Sequence, residues 1–284
     1  MISEDSANGE HIIKKILVAM DSSRHSEAAL QAAVSLAKMM EATIQGLFVQ
    51  DARWQQISRL PSVAEVSMLT GDIEPLGVDK LEQQIRCLEE RIHHRFEQLT
   101  RHHQLSHSWK SMEGKVADKL LEACDEADLI TIGMKGEFFT GRKRLGSTAK
   151  AVIEKSPKPV LILQEGLKLG QTIIAVDNGT ELGRKGIRHA LSLAEKNESK
   201  LLVLKIDQKP RNVHWQKQVE NMLENSPVRA EAHLLNELNY EKLLNLVNRQ
   251  HGGLLVIPKN EHFVETAAIE KLLYNLDNPI LLVI

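Results

Sequence analysis

The amino-acid sequence predicts an α/β protein built as two parallel-sheet units in tandem. A set of short motifs occurs twice in the same order, and apolar runs of strand length alternate with helical patterns. Most of those runs are Ile/Leu/Val-rich rather than alternating. Continuous apolar runs mark strands covered on both faces, and their alternation with helices is that of βαβ units.

The repeat sets the domain plan. The run from Ile16 to Asp21 returns from Ile173 to Asp177, so Asp177 reads as the counterpart of Asp21. Ser35-Leu36-Ala37 returns as Ser192-Leu193-Ala194, Asp128 to Ile132 as Gly253 to Ile257, and Pro159 to Leu163 as Pro279 to Val283. The offset between copies shrinks from about 156 residues at the aspartates to about 120 at the terminal prolines. The second copy has therefore lost about 32 residues in its middle and about five near its fourth strand. The plan is a first domain over 12–164 and a shortened second domain over 171–284, joined by Gln164 to Gly170.

In the first copy the strands read as 15–20, 43–49, 106–111, 129–134 and 160–163, the third alternating and the others rich in Ile, Leu and Val. Helices read as 23–40, 78–103, 116–126 and 147–156. The second is the clearest, because Leu81, Ile85, Leu88, Ile92, Phe96 and Leu99 form one stripe at helical spacing. A stripe of one helix's length reads as packing on its own sheet rather than as a coiled coil. Between strand two and this helix, Pro61, Gly71, Pro75 and Gly77 predict an irregular loop over 51–80. The second copy repeats the five strands at 172–177, 200–206, 228–235, 253–258 and 279–284.

Composition narrows the class. With 42% hydrophobic residues the chain has a core to bury, and 36 Lys+Arg against 38 Asp+Glu leave a formal charge of −2. That balance argues against nucleic acid as a partner. No apolar run reaches the length of a membrane span, so no membrane insertion is expected. Cys87 and Cys124 read as reduced thiols and the location as cytoplasmic. His93, His94, His102, His103 and His107 crowd one region, but their spacing offers no converging tetrahedral set and reads as a solvated helix face.

The chemistry gathers after the fourth strand, since ligands of open parallel sheets bind beyond the carboxyl ends of strands. Gly133 and Gly136 read as positions for φ > 0 and for close approach of backbone to an oxyanion. Gly146-Ser147-Thr148 opens a helix whose free N–H groups and dipole favour an anion, and the two hydroxyls add donors. Lys135 and the run Arg142-Lys143-Arg144 add positive charge. Asp21 has two readings, a ligand contact and a cap of the following helix.

The spacing Gly133-x2-Gly136-x9-Gly146-Ser147 resembles the nucleotide-binding signature of the universal stress protein family. Asp128-Leu129-Ile130 before it, the run from Gly146 to Leu163 after it, and Lys15 to Ser22 at the opening strand are similar to that family too. The resemblance covers 12–164 and extends more weakly to 284. It implies a Rossmann-like fold of strand order 3-2-1-4-5 and an adenine nucleotide ligand (ATP, ADP or AMP), with Mg as a candidate companion ion. By position it implies that Asp21 bonds the adenosine portion and that Val49, beside Ala19, lines the base pocket. Gly133, Gly136, Gly146, Ser147 and Thr148 would then hold the phosphates, with Lys135 a candidate beside them by its charge.

The second copy lacks the signature, with Pro258 or Ile257 in the first glycine's place and Glu261 near the second's. Its expected role is structural or partner-binding. No general base, nucleophile or two-carboxylate metal site stands beside the motif, so binding rather than efficient turnover is expected. Three readings follow: a stress-response regulator binding adenine nucleotide in domain 1, a non-nucleotide interaction module with a vestigial glycine loop, and a slow nucleotide hydrolase. The apolar fifth strands, Val160 to Leu163 and Ile280 to Ile284, are expected to pair as a pseudo-dimer within one chain, with homodimerisation and an unidentified protein partner left open.

Overall fold

The computed structural model describes residues 13–58, 64–66, 71, 73–75, 77–136, 145–166, 169–206, 215, 217, 219, 221, 226–235, 240–250, 253–259 and 266–284. The run Arg142-Lys143-Arg144 and Glu261 lie outside the described residues.

The first half runs β1 (Lys15–Met20), α1 (Arg24–Met40), β2 (Thr43–Asp51), α2 (Ala52–Ser58), β3 (Ala64–Val66), β4 (Ile73–Pro75) and α3 (Val78–His102). It continues with β5 (His107–Gly114), α4 (Val116–Ala123), a 3-10 turn at Cys124–Glu126, β6 (Leu129–Gly133), α5 (Ser147–Lys155) and β7 (Val160–Leu163). The second half has β8 (Thr172–Asp177), α6 (Glu181–Lys196), β9 (Lys200–Ile206), β10 (Ala230–Leu235), α7 (Tyr240–Asn248), β11 (Leu254–Pro258), α8 (Thr266–Asn275) and β12 (Ile280–Val283).

The strands form one ten-stranded sheet in the order β10-β9-β8-β11-β12-β7-β6-β1-β2-β5. Each half has the expected order 3-2-1-4-5 and is parallel throughout. Among the described residues the halves meet at one antiparallel pairing, β7 with β12, where Leu161 opposes Leu281 and Ile162 opposes Ile280. Both strands are completely buried there. Around this seam α1 touches α6 on one face and α5 touches α8 on the other. The Gln164 amide donates to the Leu276 carbonyl at 3.0 Å and Lys259 to the Glu154 carbonyl at 2.9 Å.

Two apolar layers flank the sheet. One holds Ile16, Val18, the buried face of α1, Phe96 and, in the second half, Ile173, Ala175 and Ile187. The other holds Leu17, Leu120, Ile130, Val152 and, in the second half, Ile174, Leu202 and Leu255. Because a strand's side chains alternate faces, these layers fix the true correspondence between copies. Ile16 matches Ile173, not Thr172, and helix caps agree, Ser23 matching Thr180. Asn178, not Asp177, therefore stands in the place of Asp21. The identity-led pairing of the two aspartates is off by one residue, which would have turned every core side chain of β8 to the wrong layer. By the same reasoning Lys205 matches Phe48 and Pro258 matches Gly133.

The segment read as an irregular loop is more ordered than expected. It carries the last residue of β2, α2 and an antiparallel β3–β4 pair that sets Glu65 opposite Glu74. Arg53 closes the start of α2 on Asp51, its Nε 2.8 Å from Oδ2. Such a local clasp has no periodic signature. The histidine face also departs from a merely solvated one, since the His93 ring stacks on Trp109 at 4.6 Å. Cys124 is buried, which pushes its thiol up to about 11.

Candidate functional site

The carboxyl ends of β1, β2 and β6 surround a cavity of about 530 Å³. Its walls include Ala19, Asp21, Val49, Gly133, Lys135, Gly136, Gly146, Ser147 and Thr148, so these nine candidate residues border the same space. The topology explains why: β1 and β6 are neighbours whose following helices lie on opposite faces, which opens a crevice between them.

At the tip of β1 the chain turns sharply into α1. Ser23 is the helix cap, its Oγ accepting the Ser26 N–H at 3.0 Å. Asp21 thus does not cap the helix; its Oδ1 accepts the Ser23 N–H at 2.9 Å, and its own N–H donates to Ser26 Oγ at 3.0 Å. These bonds hold the carboxylate so that Oδ2 lies beside Gly136, 3.1 Å from where a Cβ would stand. The Ser23 hydroxyl also donates to the Lys135 carbonyl at 3.2 Å, tying the β1 tip to the loop after β6.

The glycines act by size. None of Gly133, Gly136 and Gly146 has a positive φ, so the left-handed conformation expected at Gly133 and Gly136 is absent. A Cβ at Gly133 would lie 2.7 Å from the His25 carbonyl carbon and 2.9 Å from its oxygen. A Cβ at Gly146 would lie 3.3 Å from the Met134 oxygen and 3.6 Å from the Gly136 nitrogen. Gly146 is also the cap of α5 and supplies no capping side chain. The first-turn N–H groups at Ser147, Thr148 and Ala149, which cannot bond within the helix, lie at the cavity wall. No acidic residue occupies that turn. A small Gly136 and an uncapped helix end together make a cradle that suits an anion.

Sequence reasoning missed part of the lining. Leu81, Ile85 and Leu88 from the α3 stripe face the cavity, whereas Ile92 and Phe96 lower on the same stripe are buried in the core. Met20, Phe48, Arg53, Trp54 and Gln84 complete that side. Solvent-facing residues around the upper stripe resemble those around the lower one, so only the change of burial along the helix separates the two. On the opposite side Leu47, Val116, Leu120 and Ile132 close the space. Burial alone would raise the Asp51 carboxyl, but its bonds to Arg53 hold it below its ordinary value. Burial, reinforced by Lys135, lowers the His25 imidazole, and its Nδ1 accepts the Glu165 N–H at 3.0 Å, as a neutral ring can.

Gly133→Ala is expected to lower stability by about 2 kcal/mol, because the new methyl meets the main chain of the first turn of α1. Urea unfolding checks it. A change below a few tenths of a kcal/mol would mean that α1 does not sit against β6 as described.

The comparisons with known proteins bear on the family and the fold. A sequence model of the universal stress protein family matches residues 13–164. A universal stress protein of Methanocaldococcus jannaschii is 27% identical over 166 residues, covering 57% of this chain and 88% of that protein. The crystal structure of a universal stress protein from Archaeoglobus fulgidus covers 95% of this chain and 97% of its own, with 13% identity and a TM-score of 0.75. A structure from Pseudomonas aeruginosa, described as functionally unknown, covers 98% and 94% with 15% identity and a TM-score of 0.61. At these identities the two structures establish the fold.

Proposed function

The chain belongs to the universal stress protein family, and on that footing we propose that it is a stress-response regulator whose first half binds one adenine nucleotide. The observation that carries this reading is the convergence of Asp21, the three close-packed glycines and the uncapped end of α5 on one cavity. Ala19 and Val49, with Leu47, Val116, Leu120 and Ile132, offer an apolar slot to the base. Asp21 Oδ2, beside Gly136, is the proposed acceptor for a ribose hydroxyl. The N–H groups at 147–149, the Ser147 and Thr148 hydroxyls and the Lys135 ammonium are the donors for phosphates. ATP, ADP and AMP share these requirements, and Mg would enter as a companion of the phosphates.

The second half is proposed to serve a structural or partner-binding role. Asn178 in place of Asp21 removes the acceptor carboxylate, and Pro258 in place of Gly133 puts a ring where backbone must pass closely. One nucleotide per chain is therefore expected.

Calorimetry with ATP, ADP and AMP on the whole chain tests the reading. One saturable site is expected, weakened about tenfold to a hundredfold by Asp21→Ala through loss of a charge-assisted bond, and abolished by Gly146→Val. Absence of saturable binding of all three nucleotides would overturn it. Release of adenine absorbance on denaturing the purified protein is a quick companion measurement.

A further inference from the structure

The cavity reaches both sides of the sheet. One lobe, on the α4 side, is bounded by Leu47, Val49, Val116, Leu120 and Ile132, whose layer is that of α4 and α5. The other, on the α3 side, is bounded by Met20, Phe48, Trp54, Leu81, Ile85 and Leu88. Met20 and Phe48 belong to the opposite layer, with α1 and α3. The nucleotide reading uses the first lobe and the phosphate cradle, and it leaves the second unexplained.

The second half of the chain shows what such a lobe holds. Met20 and Phe48 correspond to Asp177 and Lys205 in the face-matched alignment of the copies. Between those two residues lies an indole. Trp215 is 5% exposed, its Nε1–H donates to Asp177 Oδ2 at 2.5 Å, and the Lys205 ammonium lies 5.1 Å from its ring centroid. Asp177 and Lys205 are themselves 1% and 4% exposed. The second copy thus fills the helix side of its strand tips with its own aromatic ring. In the first copy the wall residues at these positions are the apolar Met20 and Phe48, and the space they face is cavity.

We infer that the α3-side lobe is a separate subsite for a planar, predominantly apolar ring of about indole size, bound beside the nucleotide. The walls suit that chemistry. Met20 offers a thioether and Phe48 and Trp54 offer aromatic faces, all of which favour ring contact. The aliphatic Leu81, Ile85 and Leu88 form the third side, and Gln84 with the Asp51–Arg53 pair places the polar atoms at the lining. An acidic or polyanionic group finds no counterpart to the glycine cradle among these residues. The lobe is made by α2 and α3, and the stretch that carries α2 is part of what the shorter second copy lost.

Indole is the probe. Calorimetric titration of the whole protein with indole, with and without saturating AMP, is expected to show one saturable site that persists when AMP is present. Ile85→Trp, which places a ring in the lobe from α3, is expected to lower indole affinity at least tenfold while AMP binding stays unchanged. Displacement of indole by AMP would overturn the inference by identifying the lobe as the base pocket. Lack of saturable indole binding to the wild-type protein would overturn it too. Because Ile85→Trp reads indole binding at the lobe whether or not AMP binds, failure of nucleotide binding is distinguishable from failure of this subsite. If Ile85→Trp does not fold, the AMP competition on wild-type protein decides.

Discussion

Leu161→Asp is expected to cost more stability than a truncation at the same position, and the excess is expected to grow with pH. Leu161 is wholly buried and faces Leu281 across the antiparallel seam. Leu161→Ala should remove about 3 kcal/mol through lost burial and a residual cavity, with little dependence on pH. The aspartate adds the cost of an unpaired carboxyl, which burial forces toward the neutral form. Its folded pKa is then raised above the unfolded value. Below the ordinary carboxylate range the two states bind protons alike, and above it the unfolded state gives up its proton first. Stability therefore falls as pH rises, by about 1.4 kcal/mol per unit until the folded pKa is reached. Urea unfolding at pH 5 and pH 8 measures both variants. Equal losses for alanine and aspartate at both pH values would mean that water reaches the seam.

Trp215→Ala is the second large effect, expected at about 4 kcal/mol. Removing the ring vacates a site beside two almost fully buried ionisable residues and takes away the donor to Asp177. Trp215→Phe keeps a ring but not the N–H, so it should cost about 1–3 kcal/mol, the range for leaving a buried acceptor unsatisfied. Unfolding curves of the two variants give that order. AMP affinity in the first half should not change, because the sites are distant in the sheet and share no residue. A phenylalanine as costly as the alanine would shift the weight from the ring to the hydrogen bond.

Much of the fold was legible in local pattern. Buried parallel strands such as Leu129–Gly133 are mostly apolar because both faces are covered, and the sequence alone finds them. The α3 stripe was equally clear, yet its periodicity does not say that Leu81, Ile85 and Leu88 face a cavity while Ile92 and Phe96 face the core. The nine candidate residues meet because they lie at strand ends and in the loop after β6, places that topology brings together whatever the side chains between. Their mechanism was less visible: closeness to His25, Asp21 and Met134, rather than a special φ, is what keeps the glycines small. The pairing of Asp21 with Asp177 failed because identity at one position outweighed the alternation of faces along the strand. Trp215 carried one usable signal, a helical spacing from Val219 that makes one buried face.

The antiparallel seam has a further consequence for direction. All strands of one half point the same way, and pairing β7 with β12 head to tail reverses that sense across the joint. The cavity at the tips of β1, β2 and β6 and the Trp215-filled tips of the second half consequently lie at opposite rims of the ten-stranded sheet. A partner docked over one rim is turned away from the other, and any signal between them has to cross the fifth strands. The edge that a lone copy would offer to a neighbour is consumed internally, so the strand edges left at the outer limits of the sheet are β5 and β10. One molecule therefore presents the cavity at one rim, facing one way.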